Sequence, residues 1–88
     1  MRILGIDPGV ATIGFGVIDF SGREYKLVNC GVITTPAHTM LSARLEQIYD
    51  DMCQLLELFK PDAVSIEELF FNTNITTGIK VAEARGVI

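Results

Sequence analysis

Arg2-Ile3-Leu4-Gly5-Ile6-Asp7-Pro8-Gly9 is an apolar run that ends on a carboxylate and then turns, and the rest of the chain is read from it. A buried strand gains nothing by finishing on Asp unless the acid caps the turn or does chemistry at the edge of a sheet. Pro8-Gly9 supplies the turn. A second apolar strand spans Thr12 to Phe20, with Ser21-Gly22 as a hairpin turn, and a third runs from Glu24 to Thr35, where Pro36 stops it. Connections this short predict an antiparallel meander.

The pattern then changes period. Leu41, Leu45, Ile48, Tyr49, Met52, Leu55, Leu56 and Phe59 recur at spacings of three and four, the mark of one buried helical face. Thr39 is the candidate N-cap, and Lys60-Pro61 ends the helix. Ala63-Val64-Ser65-Ile66-Glu67 is another short apolar strand ending on an acid. After the Leu69-Phe70-Phe71 loop, Asn74 or Thr76 is placed to cap a last helix containing Ile79, Val81, Ala82 and Ala84.

The element order is therefore β-β-β-α-β-α. A right-handed helical crossover lays the fourth strand parallel to the first and beside it. Asp7 and Glu67 then meet at adjoining strand ends, one interstrand spacing of about 4.8 Å apart. Two carboxylates that close need a cation, a shared proton or open water. A hard divalent ion fits two oxygen ligands completed by water, and Mg²⁺ suits such a site best. The plainer alternative makes Asp7 a turn cap and Glu67 a solvated strand end. Strand alternation sends Glu67 and Glu68 to opposite faces, and periodicity does not choose between them.

Gly14 and Gly16 share one face of the second strand, where a helix or a substrate strand could approach closely. One exposed ring of Phe70-Phe71 beside a metal site would suit stacking on a base. His38 reads as a loop residue.

Composition narrows the class. At 88 residues the chain is expected to be one domain, residues 1–88, and its 49% hydrophobic content is high for that length. Mean hydropathy is +0.38 and the pI is near 4.7. Net charge is −4, and the seven basic residues form no run, so charge alone gives no nucleic-acid signature. Cys30 and Cys53 match no zinc or redox spacing and are expected to be reduced thiols. No leader pattern or membrane-length apolar stretch is present, so a soluble, cytoplasmic protein is expected. Ala82–Ile88 stops inside an apolar helical pattern, which suggests the N-terminal portion of something longer.

Ile3–Gly9 with Thr12–Ile18, Ala63–Phe71 and Ala82–Val87 together resemble the RuvC-type Holliday junction resolvases, in order and along the whole chain. Asp-Pro-Gly with Ile-Glu-Glu-Leu-Phe-Phe and Ala-Arg-Gly is the specific combination. The resemblance implies an α/β, ribonuclease H-like mixed sheet, three antiparallel strands followed by a helical crossover to a parallel fourth. It also implies Mg²⁺-dependent nicking of four-way junction DNA, with Mn²⁺ as substitute, leaving 5′-phosphate and 3′-hydroxyl ends. By the same resemblance Asp7 and Glu67 are the catalytic and metal-binding acids, Glu67 being chosen over Glu68. Phe70 is the aromatic set against bases at the junction centre, and Gly14, Asn74 and Arg85 are further candidate DNA contacts. The segment from Asn74 to Arg85 resembles the helix that pairs subunits into a homodimer, and a branch-migration helicase is the implied partner. Arg44 resembles a recurrent basic position whose role stays open. The family also uses two late aspartates, in an Asp-x-x-Asp pair, which do not occur before Ile88, so the 88-residue chain is expected to be inactive alone.

Three rivals stand beside this reading. The actin-like ATPases and sugar kinases also open on a strand running into Asp-x-Gly, but they carry Thr or Ser after the glycine, where this chain has Val10. A small resolvase-like family linked to ribosomal RNA processing shares the first strand and is not expected to share Ile66–Phe71. A catalytically inactive DNA-binding or dimerisation module is the third.

Overall fold

A computed structural model describes residues 1–67 and 75–88, with side chains described over 1–67 and 79–88. Strands β1 (Arg2–Asp7), β2 (Thr12–Ser21) and β3 (Glu24–Thr34) form the expected antiparallel meander. Helix α1 (Leu41–Phe59) crosses over and returns the chain as β4 (Ala63–Ile66), parallel to β1, in the sheet order β3-β2-β1-β4. Helix α2 (Ile75–Val87) packs against α1.

Register explains which side chains are inside. Leu4 lies between Val17 and Val64, Ile6 between Phe15 and Ile66, and Ile13 opposite Ile33. Alternation puts this set on one face of the sheet, where Ile48, Met52 and Phe59 of α1 and Ala84 of α2 complete the core. Leu4, Ile13, Val17 and Ile48 are fully buried, and each such side chain stabilises the fold by roughly 1.5–3 kcal/mol.

Polar contacts fix the register at both ends of β4. The Asp62 N–H donates to the Arg2 carbonyl (2.8 Å), and the Arg2 N–H donates to Asp62 Oδ2 (2.7 Å). Beyond the other end, the Glu67 N–H donates to the Ile6 carbonyl (3.0 Å). Arg2 also ties sheet to helix. Its Nε and Nη2 donate to the Asp19 carboxylate at 2.8 and 3.0 Å, while Nη1 donates to the Phe59 carbonyl at 3.0 Å. That carbonyl belongs to the last residue of α1, where a cation is favoured. The guanidinium holds the Asp19 carboxyl below its ordinary range and is itself raised by it, hydrogen bonding being the largest cause for both.

Several local expectations need correction. The hairpin turn is Gly22-Arg23, with Gly22 at φ +61°, because β2 runs on through Ser21; β3 stops one residue early, at Thr34, and β4 at Ile66. Met40, at φ −56° and ψ 138°, takes the N-cap position of α1 without a side-chain bond, leaving Thr39 one residue too early to cap. Tyr49 (58% exposed) and Leu56 (42%) do not join the buried face. Each sits one residue, about 100°, round the helix from Ile48 and Leu55, which do face inward. Thr76 cannot cap α2, which already begins at Ile75, and Asn74 lies outside the described residues.

Lys60 closes α1 in the left-handed region, φ 47°, with its N–H on the Leu56 carbonyl at 2.9 Å. Urea unfolding tests both ends of this account. Ile48→Ala should lose about 2–5 kcal/mol by opening the core. Lys60→Gly should gain about 1 kcal/mol by removing the left-handed strain. A loss at residue 60 would mean the lysine stem contributes more than its backbone costs.

Candidate metal centre on adjoining strand ends

Parallel pairing of β1 with β4 ends at Ile6 opposite Ile66, so the next residues outward are Asp7 and Glu67. Both are exposed. The Glu67 N–H on the Ile6 carbonyl carries the ladder one step past the strand and holds the acid level with its partner. The Glu67 carboxyl is raised above its ordinary value of 4.5, first by a hydrogen bond with the Asp7 carboxyl, then by its charge and by slight desolvation. The register sets the two acids side by side, as strand order predicts. Among the described residues Asp7 makes no side-chain bond to the turn after it, so it is no turn cap.

The turn is held from elsewhere. A Cβ on Gly9 would run into the Thr12 carbonyl oxygen, so the tight Asp7–Thr12 connection needs glycine there. Thr35, buried at 6% exposure, donates its hydroxyl to the Val10 carbonyl (2.6 Å) and its N–H to the Ala11 carbonyl (3.0 Å). Arg44 Nε in turn donates to the Thr35 hydroxyl at 2.9 Å. Sequence reading missed this clasp. Thr35 before Pro36 reads only as a strand end, and nine residues separate it from Arg44.

The flank of the pair is bare. Gly14 is the β2 partner of Asp7, and a Cβ built there would lie 3.5 Å from the Asp7 Cβ, an ordinary contact. Nothing lies within 4 Å of a Cβ built on Gly16, so among the described residues no helix packs on it. Of the other candidates, Glu68, Phe70 and Asn74 lie outside the described residues. Arg85 is exposed on the last turn of α2, and no described hydrogen bond or ion pair joins it to the acids. Among the described residues no group of three or more His, Cys, Asp or Glu forms a larger metal cage. Two exposed, adjacent, hard oxygen donors still suit a Mg²⁺-like ion that keeps most of its water.

A family described as "Crossover junction endodeoxyribonuclease RuvC" matches residues 3–88. The protein so described from Brevibacillus brevis is 52% identical over 88 residues, covering 100% of this chain and 53% of that protein. The Thermomicrobium roseum protein of the same description is 44% identical over the same length. Among solved structures, "T. thermophilus RuvC in complex with Holliday junction substrate" superposes with a TM-score of 0.90 at 31% identity, over 99% of this chain and 56% of that one. An Aquifex aeolicus Ppx/GppA protein superposes at a TM-score of 0.56 with 18% identity, which shows a shared fold alone. The sheet and crossover are those of a ribonuclease H-like mixed α/β fold. The chain belongs to the RuvC family of crossover junction endodeoxyribonucleases. It spans about half the length of the curated relatives it matches.

The raised Glu67 carboxyl has a signed consequence. The native state holds this proton more tightly than the unfolded chain, so stability falls as pH rises from the ordinary value of 4.5 through the higher native one. Asp7→Asn removes the cause. In metal-free buffer the melting-temperature gain of Asp7→Asn over the parent should be near zero at acid pH and grow toward neutrality. A pH-independent difference would contradict the carboxylate pair.

Proposed function

We propose that residues 1–88 are the first part of a single nuclease domain that resolves Holliday junctions by metal-dependent phosphodiester hydrolysis. One observation carries this: two carboxylates on neighbouring residue positions at the ends of parallel strands, in a chain of the RuvC family. Asp7 and Glu67 would hold Mg²⁺, or Mn²⁺ in its place. When bound, such an ion polarises the scissile phosphate and lowers the pKa of its water. Ligation would favour the ionised form of Glu67, against the tighter hold on its proton that the neighbouring Asp7 causes.

The substrate side rests on the same reading. The Gly14–Gly16 strip leaves room for a DNA strand to lie against β2 beside the acids. Phe70 is assigned to stacking against bases at the junction centre, and Asn74 and Arg85 to the DNA. Helix α2 is assigned to pairing two copies, which would set two cuts symmetrically across a four-way junction. A branch-migration helicase is the expected partner and the cytoplasm the expected location. Among the described residues no helix is long and apolar enough to cross a membrane.

The test uses the protein at the full length of its relatives. Asp7→Asn and Glu67→Gln should each lower junction cleavage by at least about 10³-fold while junction binding stays within a few-fold of the parent. The 88-residue chain alone should not cut. Cleavage retained by Asp7→Asn would remove the pair from the chemistry, and a Mg²⁺-dependent cut by the short chain would show that the two acids suffice.

A further inference from the structure

One cavity lies away from the acids. It measures about 450 Å³ and is lined by Val10, Ala11 and Thr12 of the turn, Arg44 of α1, and Lys80 and Val81 of α2. Among the described residues two cations and no acid face it, in a chain of net charge −4. The only ion pair among the described residues is Arg2 with Asp19, so neither Arg44 nor Lys80 has a carboxylate partner there. Arg44 spends only Nε, on the neutral Thr35 hydroxyl, which fixes the guanidinium while its Nη groups make no bond among the described residues. The Val10 and Ala11 carbonyls already accept from Thr35, so the turn's nearest acceptors are committed elsewhere. What the cavity offers a visitor is positive charge and N–H donors.

We infer that Arg44 and Lys80 hold a backbone phosphodiester of the DNA strand, a few phosphates along from the bond cleaved at Asp7 and Glu67. The proposal rests on the nuclease reading above. Val10 is three residues from Asp7, so its Cα lies at most about 11 Å from that of the acid. With a rise of about 3.4 Å per nucleotide in one strand, that reach corresponds to roughly two or three phosphates from the cut. A planar guanidinium suits two oxygens of one phosphate, and the lysine ammonium adds a point charge. Because Arg44 grips the turn that follows Asp7 through Thr35, a phosphate seated there would also steady the acid pair. Both are positioning residues: neither is placed on the reacting atoms.

The test titrates the ¹⁵N-labelled chain with a 12-nucleotide single-stranded DNA and with the same sequence carrying an uncharged methylphosphonate backbone. The amides of Val10, Ala11 and Thr12 and the Arg44 Nε–H should shift with the first and not with the second. Lys80→Gln should weaken binding about 3- to 10-fold and make the slope of log K against log salt about 0.7 less negative, the value for one phosphate contact on a single strand. Its melting temperature should not change, since Lys80 is exposed and bonds to nothing described. Arg44→Lys should retain more affinity than Arg44→Gln. Thr35→Val separates a purely structural role: if it reproduces the whole Arg44→Gln loss while Lys80→Gln is silent, the cavity holds no phosphate. DNA binding whose shifts avoid the turn, with affinity and salt slope unchanged in Lys80→Gln, would overturn the inference and leave the nuclease reading standing. No DNA binding by the parent chain would likewise overturn the inference, while a full-length parent that fails to cut junctions in the test above is what overturns the nuclease reading.

Discussion

The parallel ladder between β1 and β4 is the constraint from which the rest of the molecule follows. Its register is clamped below by the reciprocal bonds of Arg2 and Asp62 and above by the Glu67 N–H on Ile6. A slip of one residue would turn Val64 and Ile66 away from Leu4 and Ile6 and send Glu67 to the other face. Core packing and the placement of two acids are therefore one decision. The crossover helix makes it possible, because α1 both covers the buried face and brings the chain back in the direction of β1.

The fold accepts a local electrostatic cost at this edge. Two carboxylates are held side by side, neither in an ion pair among the described residues, and Glu67 answers by keeping its proton more tightly. Asp19, by contrast, meets Arg2 in a two-pronged contact that also reaches the end of α1. The contrast is informative. It singles out Asp7 and Glu67 as the candidate ion-binding pair.

Much of this was legible in the sequence, for identifiable reasons. Alternation in β1 and β2 and the 3.6-residue period of α1 are strong signals, and the short turns left one sensible topology. The meeting of Asp7 and Glu67 followed from that topology before any coordinate was known. What periodicity could not supply were the details that tertiary context decides. Met40 displaced Thr39 as the cap because backbone geometry, not hydroxyl chemistry, set where α1 begins. Tyr49 and Leu56 are apolar in type yet lie beyond the strip that the sheet covers. The choice of Glu67 over Glu68 needed family likeness, since alternation alone was neutral. The Thr35–Arg44 clasp and the cavity beside Lys80 join three elements distant in sequence, and no local pattern announces them.

The central claim is that Asp7 and Glu67 act as one ligand set, and Mn²⁺ binding measured by calorimetry on the 88-residue chain at neutral pH tests it most directly. The account predicts one binding event, lost in Asp7→Asn and in Glu67→Gln alike, the double variant being no worse than either single. Mn²⁺ affinity undiminished by both substitutions, or losses that simply add, would show that the two carboxylates are neighbours without working together.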